Sequence, residues 1–170
     1  MLIPDEIEID SLLQNLESKG SLSKEVQLIF VNLTEINDRT VNALSNYSGH
    51  QLSFPTLETL STLHAEKLAK LNCQIIMNQL QTIEFPTIES LCKHKGELYL
   101  NGIEGIDLDQ SKAWRNFQGT ALFLLNAKII SEEVAVHLSH ISGKVYFNPS
   151  LLSKEAFRVL QQKNKIYYPH

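Results

Sequence analysis

The chain has 170 residues, of which 43% are hydrophobic and 20% charged, and it carries a net charge of −4 at pH 7. These values are typical of one globular domain with a single buried core, and we expect one domain over residues 1–170. No run approaches the roughly 18 consecutive apolar residues of a membrane helix, and the start, MLIPDEIEID, lacks the basic and apolar segments of a secretory signal.

The scattered lysines and arginines argue against nucleic acid as a partner. We therefore expect a cytoplasmic protein that binds neither nucleic acid nor a membrane. Export as an effector without a cleaved signal peptide stays open. Cys73 and Cys92 have no CxxC spacing and are expected to be reduced thiols in apolar positions, so the sequence predicts no metal and no other cofactor.

In chain order, residues 1–25 are expected to form an N-terminal helical cap, with a helix over residues 10–19 (DSLLQNLESK). A strand is predicted over residues 26–32, and its pattern then recurs: apolar residues stand three and five positions before a closing aliphatic residue, the alternation of a strand. The closing positions are Leu33, Leu57, Leu80, Ile103 and the weaker Ala127 and Ser150. Their separations of 24, 23, 23, 24 and 23 residues indicate six repeat units over residues 26–170.

After each predicted turn the apolar spacing becomes helical, as in Val41, Leu44 and Tyr47. Equivalent stripes are Ala65, Leu68 and Leu71; Ile88, Leu91 and His94; Ser111, Trp114 and Phe117; and Ala135, Leu138 and Ile141. Helix starts are expected at Asn37-Asp38, at Ser61-Thr62, at Pro86 in a first turn, at Asp107 or Asp109, and at Ser131. Glycines at 49, 96, 119 and 143 are expected to take the left-handed conformation where each helix turns into the next strand.

A strand and a short helix of this size cannot bury their own apolar faces, so neighbouring units must stack. Because strand, helix and parallel strand connect with right-handed chirality, the sequence predicts a right-handed α/β solenoid. It would have one parallel sheet on the inner face and short helices on the outer face, with seven strands and about six helices. The last strand is predicted in KIYYPH, residues 165–170.

The segments LYLNGIEGI, LSFPTLETL and IIMNQLQTI, each followed by a short apolar helix, resemble bacterial leucine-rich repeats of the short α/β kind over residues 26–170. The resemblance implies a curved solenoid that recognises other proteins. The slot in which that family usually has a ladder-forming asparagine holds Leu33, Leu57, Leu80 and Ile103 here. Asparagines stand two residues earlier in three units, at Asn78, Asn101 and Asn148.

Strand residues that alternate with the core-facing positions are expected to point to solvent on the inner surface of the solenoid. There they would form an apolar and aromatic stripe flanked by amides. Such a mixture suits a protein interface. The predicted contact residues are Ile29, Ile76, Asn78, Tyr99, Asn101, Phe123, Leu125, Tyr146, Asn148 and Tyr167. The function expected is non-enzymatic binding of an unidentified protein partner.

Alternatives stay open at this point. The stripe could form a homodimer, or it could reflect only the strand propensity of aromatic and β-branched residues. The protein could be an inhibitor or immunity-type protein that blocks an enzyme. It could also be a metal-dependent hydrolase, since Glu133, His137 and His140 lie on one helix face. His94 and Trp114 are both expected to be core residues of their stripes.

Overall fold

The structure is a computed structural model, and it describes residues 2–3 and 26–163. Its strands are β1 (Leu2–Ile3), β2 (Gln27–Phe30), β3 (Gln51–Ser53), β4 (Gln74–Ile76), β5 (Glu97–Tyr99), β6 (Ala121–Leu124) and β7 (Lys144–Phe147). Its α-helices are α1 (Asp38–Ala43), α2 (Thr62–Leu68), α3 (Phe85–Leu91), α4 (Leu108–Trp114), α5 (Glu132–Leu138) and α6 (Lys154–Gln162). Short 3₁₀ turns follow α1 at Leu44–Asn46 and precede α6 at Pro149–Leu151.

The seven strands form one parallel sheet, and their order in space is their order along the chain. The register pairs Gln27 with Gln51, Gln51 with Gln74, and Ala121 with Lys144. These partners are one sequence spacing of 24 or 23 residues apart. From β2 to β7, therefore, each repeat of the sequence adds one strand to the sheet, and one α-helix connects each strand to the next.

The core lies between the sheet and a single layer of helices. In β2, Leu28 and Phe30 are buried while Ile29 between them is only partly buried. The later strands follow the same alternation, except that the outward residues Ser53 and Ala121 are also buried. The inward strand residues join the apolar helix stripes in one continuous cluster, and consecutive helices pack side by side. The predicted inward strand pairs and helix stripes are therefore confirmed. The opposite side of the sheet, which we call the sheet face, is covered by no helix among the described residues.

The predicted helix starts are also confirmed. The side chain of Asn37 accepts a hydrogen bond from the N–H of Thr40, which satisfies one of the unpaired amides of α1. Asp107 rather than Asp109 caps α4, in a reciprocal capping box with Gln110. Ser61 and Ser131 cap α2 and α5 through their hydroxyls, and Pro86 lies in the first turn of α3.

The repeated glycines are needed for a different reason from the one predicted. The φ angles of Gly96 and Gly119 lie outside the left-handed region. Instead, a Cβ at Gly96 would lie 2.3 Å from the carbonyl oxygen of Cys73, and one at Gly119 would lie 2.5 Å from that of Gly96. Each glycine thus lets its loop lie directly against the backbone of the preceding loop. Only a residue without a side chain fits there.

Trp114 is a core residue, as expected. It is 1% exposed, and its ring meets that of Phe117 edge to face at a centroid distance of 6.2 Å and an interplanar angle of 69°. The indole fills the space under α4, where the repeat is one residue longer.

The predictions for the two ends of the chain are either different from the structure or fall outside the described residues. Leu2–Ile3 forms a strand, paired in parallel with β2, inside the segment expected to be a helical cap. The helix predicted over residues 10–19 and the last strand predicted over residues 165–170 lie outside the described residues. None of the described helices has the length and apolarity needed to cross a bilayer.

Candidate functional site

The sheet face carries one column of side chains that the strand register aligns across β2 to β7. The register places Ile29, Ser53, Ile76, Tyr99, Phe123 and Tyr146 opposite one another in sequence. All are partly exposed except Ser53, which is buried. The sequence therefore predicted this alignment correctly.

Three rings of this column stack on one another. The rings of Tyr99 and Phe123 are 3.9 Å apart between centroids, and those of Phe123 and Tyr146 are 4.2 Å apart, each pair within 5° of parallel. We call these three residues the aromatic ladder. Because adjacent strands are about 4.8 Å apart, rings that stand upright on neighbouring strands meet face to face. Their edges then form an apolar ridge on the sheet face.

A hydrogen-bond network fixes one side of the aromatic ladder. Oε2 of Glu97 accepts hydrogen bonds from the hydroxyl of Tyr99 and from Nε2 of Gln74, both at 2.9 Å. Burial, followed by the bond to the Glu97 carboxylate, raises the pKa of Tyr99 to about 12. The hydroxyl therefore remains a neutral donor at physiological pH, and the ring is held in place at both its face and its tip.

The asparagines have a structural role that the sequence did not predict. Oδ1 of Asn78 accepts from the N–H of Asn101 at 3.2 Å, and Oδ1 of Asn101 accepts from the N–H of Leu125 at 3.0 Å. Oδ1 of Asn148 accepts within its own turn, from the N–H of Ser150 at 3.1 Å. Their oxygens thus hold the backbone together. The expected role in partner contact is left to their amide NH₂ groups.

The remaining predicted contact residues lie on the margins of the sheet face. Ile29 and Ile76 belong to the aligned column on the side of β2 to β4, and Leu125 follows β6 at the carboxyl ends of the strands, where it is partly exposed. Tyr167 lies outside the described residues. The surface that the structure describes is therefore centred on the aromatic ladder.

A groove of about 730 Å³ runs along the amino ends of the strands, beside the sheet face. It is lined by the loops that precede β3 to β6, including Gly49, Asn72, Gly96 and Thr120. Gln74 and Glu97 line it too, so the groove is continuous with the column beside the aromatic ladder. The sequence did not predict this groove, because its residues are brought together from four successive loops. Lysines in the corresponding loops of two consecutive repeats, Lys70 and Lys95, were a signal that could have indicated it.

The two thiols are buried, and the three candidate metal ligands of the sequence do not come together among the described residues. Burial raises the pKa of Cys73 to about 12, and burial and then Glu89 raise that of Cys92 to about 12, so both thiols stay protonated. No group of three metal-binding side chains is found within residues 26–163, so Glu133, His137 and His140 do not form a ligand set. His140 instead places Nδ1 at 2.7 Å from the carbonyl oxygen of Val136.

His94 lies fully buried in the apolar core, as its stripe position predicts. A core histidine with satisfied nitrogens was expected, but neither ring nitrogen has a hydrogen-bond partner among the described residues. Burial lowers the pKa of His94 below 6.5, and nearby backbone carbonyls such as those of Ala69 and Cys73 oppose this only in part. The imidazole is therefore neutral in the folded protein.

No protein-family model, curated protein or solved structure matches this chain.

Proposed function

We propose that the protein is a non-enzymatic binding module, a leucine-rich-repeat-like α/β solenoid that holds a partner protein against its sheet face. The anchors are Tyr99, Phe123 and Tyr146, with Ile76 beside them, and the amide NH₂ groups of the asparagines supply directional contacts at the carboxyl ends of the strands. The repeat spacing and the sequential parallel sheet support the solenoid part of this proposal.

The observation that carries the proposal is the aromatic ladder. Its three rings stack in parallel on the side of the sheet opposite the core. They are therefore not part of the hydrophobic core formed by the described residues. Rings held in one conformation before binding lose little side-chain entropy when a partner contacts them. Strand propensity explains why individual aromatic residues occur in these strands. It does not explain why their rings stack on one another or why the Tyr99 hydroxyl is held by a hydrogen bond to Glu97.

The test compares two double variants with wild type in capture experiments from a cell extract. Tyr99→Thr/Phe123→Thr removes two rings but keeps β-branched residues in the strands. Leu63→Ala/Val136→Ala is the matched control, since these side chains are 52% and 41% exposed on the helix layer. We expect the same protein to be captured by wild type and by the control but not by the ring variant.

Three results would contradict the proposal. A partner captured equally by the ring variant would place recognition elsewhere. A wild type that light scattering finds dimeric, beside a monomeric ring variant and with nothing captured, would assign the aromatic ladder to self-association. Loss of folding in the ring variant, measured by circular dichroism, would show that the rings belong to the core.

A further inference from the structure

The groove at the amino ends of the strands, which we call the amino-edge groove, has a basic rim. Lys70, Lys95 and His50 are all exposed and all line it, whereas Glu97 is the one acidic residue that the described part of the chain contributes to its lining. The chain as a whole has a net charge of −4, so the two lysines of this rim run against the overall charge.

The acidic residue of the groove is already engaged within the protein. Gln74 and Tyr99 both donate to Oε2 of Glu97, which disperses part of its charge. In the same loop, Nζ of Lys95 donates to Oε1 of Gln118, a neutral acceptor that leaves the lysine charge uncompensated. The groove is therefore better suited to an anion than to a cation.

The length of the groove fits a peptide rather than a small anion. It crosses four successive loops, or three strand spacings of about 4.8 Å, which gives about 14 Å. An extended chain rises about 3.3 Å per residue, so about four residues of a peptide would span it. Gln74 and Glu97 connect the groove to the aromatic ladder, so a chain that lies in one reaches the other.

We propose that the amino-edge groove binds an acidic, extended segment of the partner, with carboxylates at Lys70, Lys95 and His50 and an adjoining apolar side chain on the aromatic ladder. This assignment rests on the proposed function, because it gives the chemistry of the partner that the sheet face would hold. Rim charges act mainly on partner choice and on the rate of association, and their effect is weakened by salt.

The experiment selects peptides from a phage-displayed library of random linear peptides on immobilised wild-type protein. An enriched peptide is then synthesised, and its affinity is measured by fluorescence anisotropy. Lys70→Gln/Lys95→Gln removes the two lysines of the rim, and Lys112→Gln/Lys128→Gln is the control with the same change in net charge. Lys112 and Lys128 are exposed and lie outside the groove, in surface ion pairs with Asp109 and Glu104.

We expect the enriched peptides to carry aspartate or glutamate next to an aromatic or aliphatic residue. The rim variant should weaken their binding about tenfold, with the control unchanged and with the loss shrinking as salt is added. Enriched peptides that need Tyr99 and Phe123 but lack acidic residues, or that bind the rim variant equally well, would overturn this inference and leave the proposed function standing. No enrichment above that on Tyr99→Thr/Phe123→Thr would overturn both.

Discussion

His94 makes the folded protein sensitive to acid, and replacing it with leucine should remove that sensitivity. Leu71, Phe117 and Ile141 occupy the equivalent positions of other repeats, so the fold already accepts an apolar residue there. The variant His94→Leu therefore changes the chemistry of the site more than its shape.

The size of the effect follows from proton linkage. The pKa of His94 is below 6.5 in the folded protein, whereas the unfolded chain binds the proton near 6.5. As the pH falls below 6.5, the unfolded state gains protons that the folded state does not, so stability is lost by up to about 1.4 kcal/mol per pH unit. The loss continues until the pH reaches the lowered pKa of His94 in the folded protein, below which both states bind the proton. Cys73 does not contribute, because its raised pKa keeps it protonated throughout.

At neutral pH the variant also removes two buried nitrogens that have no hydrogen-bond partner within the described part of the chain, which cost about 1–3 kcal/mol. Imperfect packing of leucine costs about 1 kcal/mol. We therefore expect His94→Leu to be as stable as wild type or more stable by up to about 2 kcal/mol at about pH 7.5. The advantage should grow as the pH falls below about 6.5, by at most about 1.4 kcal/mol per pH unit.

The assay is urea unfolding followed by circular dichroism, with both proteins measured at several pH values on either side of 6.5. The other five histidines are the same in both proteins, so the difference between the two curves isolates His94. Parallel curves would refute the assignment of a depressed pKa. A loss of more than about 2 kcal/mol at neutral pH would show that the imidazole makes a favourable bond in solution.

The other predictions concern backbone contacts and are checked by urea unfolding. Gly96→Ala should lower the free energy of unfolding by more than about 2 kcal/mol, because its Cβ would overlap the carbonyl oxygen of Cys73. Gly105→Ala should lower it by less than about 1 kcal/mol, because the nearest neighbour of its Cβ is a side-chain atom at 3.3 Å. Equal losses in the two variants would contradict this reasoning. Asn101→Ala should cost about 1 kcal/mol through the lost bond to the next repeat, and Asn101→Asp, which keeps the acceptor, should cost less. Asp107→Ala should cost about 1 kcal/mol by removing the capping box of α4, and an equal loss in Asp107→Ser would argue against the cap as the cause.

Much of the fold could be predicted because the strand alternation, the repeat spacing and the helix caps in the sequence all indicate the same arrangement. The alternation of Leu98, Tyr99 and Leu100 gives both a strand and its two faces, and the constant spacing gives the register that aligns Tyr99 with Phe123. The caps at Asn37 and Ser61 were predictable because a short side-chain acceptor before an apolar stripe has few other roles.

The remaining features depend on geometry that the residue pattern does not contain. A two-residue strand such as Leu2–Ile3 is too short to show any period. Whether the oxygen of Asn78 points to a partner or to the next backbone depends on its rotamer, and the need for glycine at 96 depends on the distance between two loops. The aromatic column was predictable from the register, but the stacking of its rings again depends on rotamers.

The buried position of Trp114 allows unfolding and ligand binding to be followed separately by fluorescence in one sample. It is the one tryptophan of the chain, and it lies buried in the helix layer, on the far side of the core from the aromatic ladder. Its fluorescence emission would shift to longer wavelength when the core opens to water, yet it would change little when a ligand contacts the sheet face. Tyrosine emission, to which Tyr99 and Tyr146 contribute, would respond to that contact, so one cuvette could report folding and binding on separate optical channels.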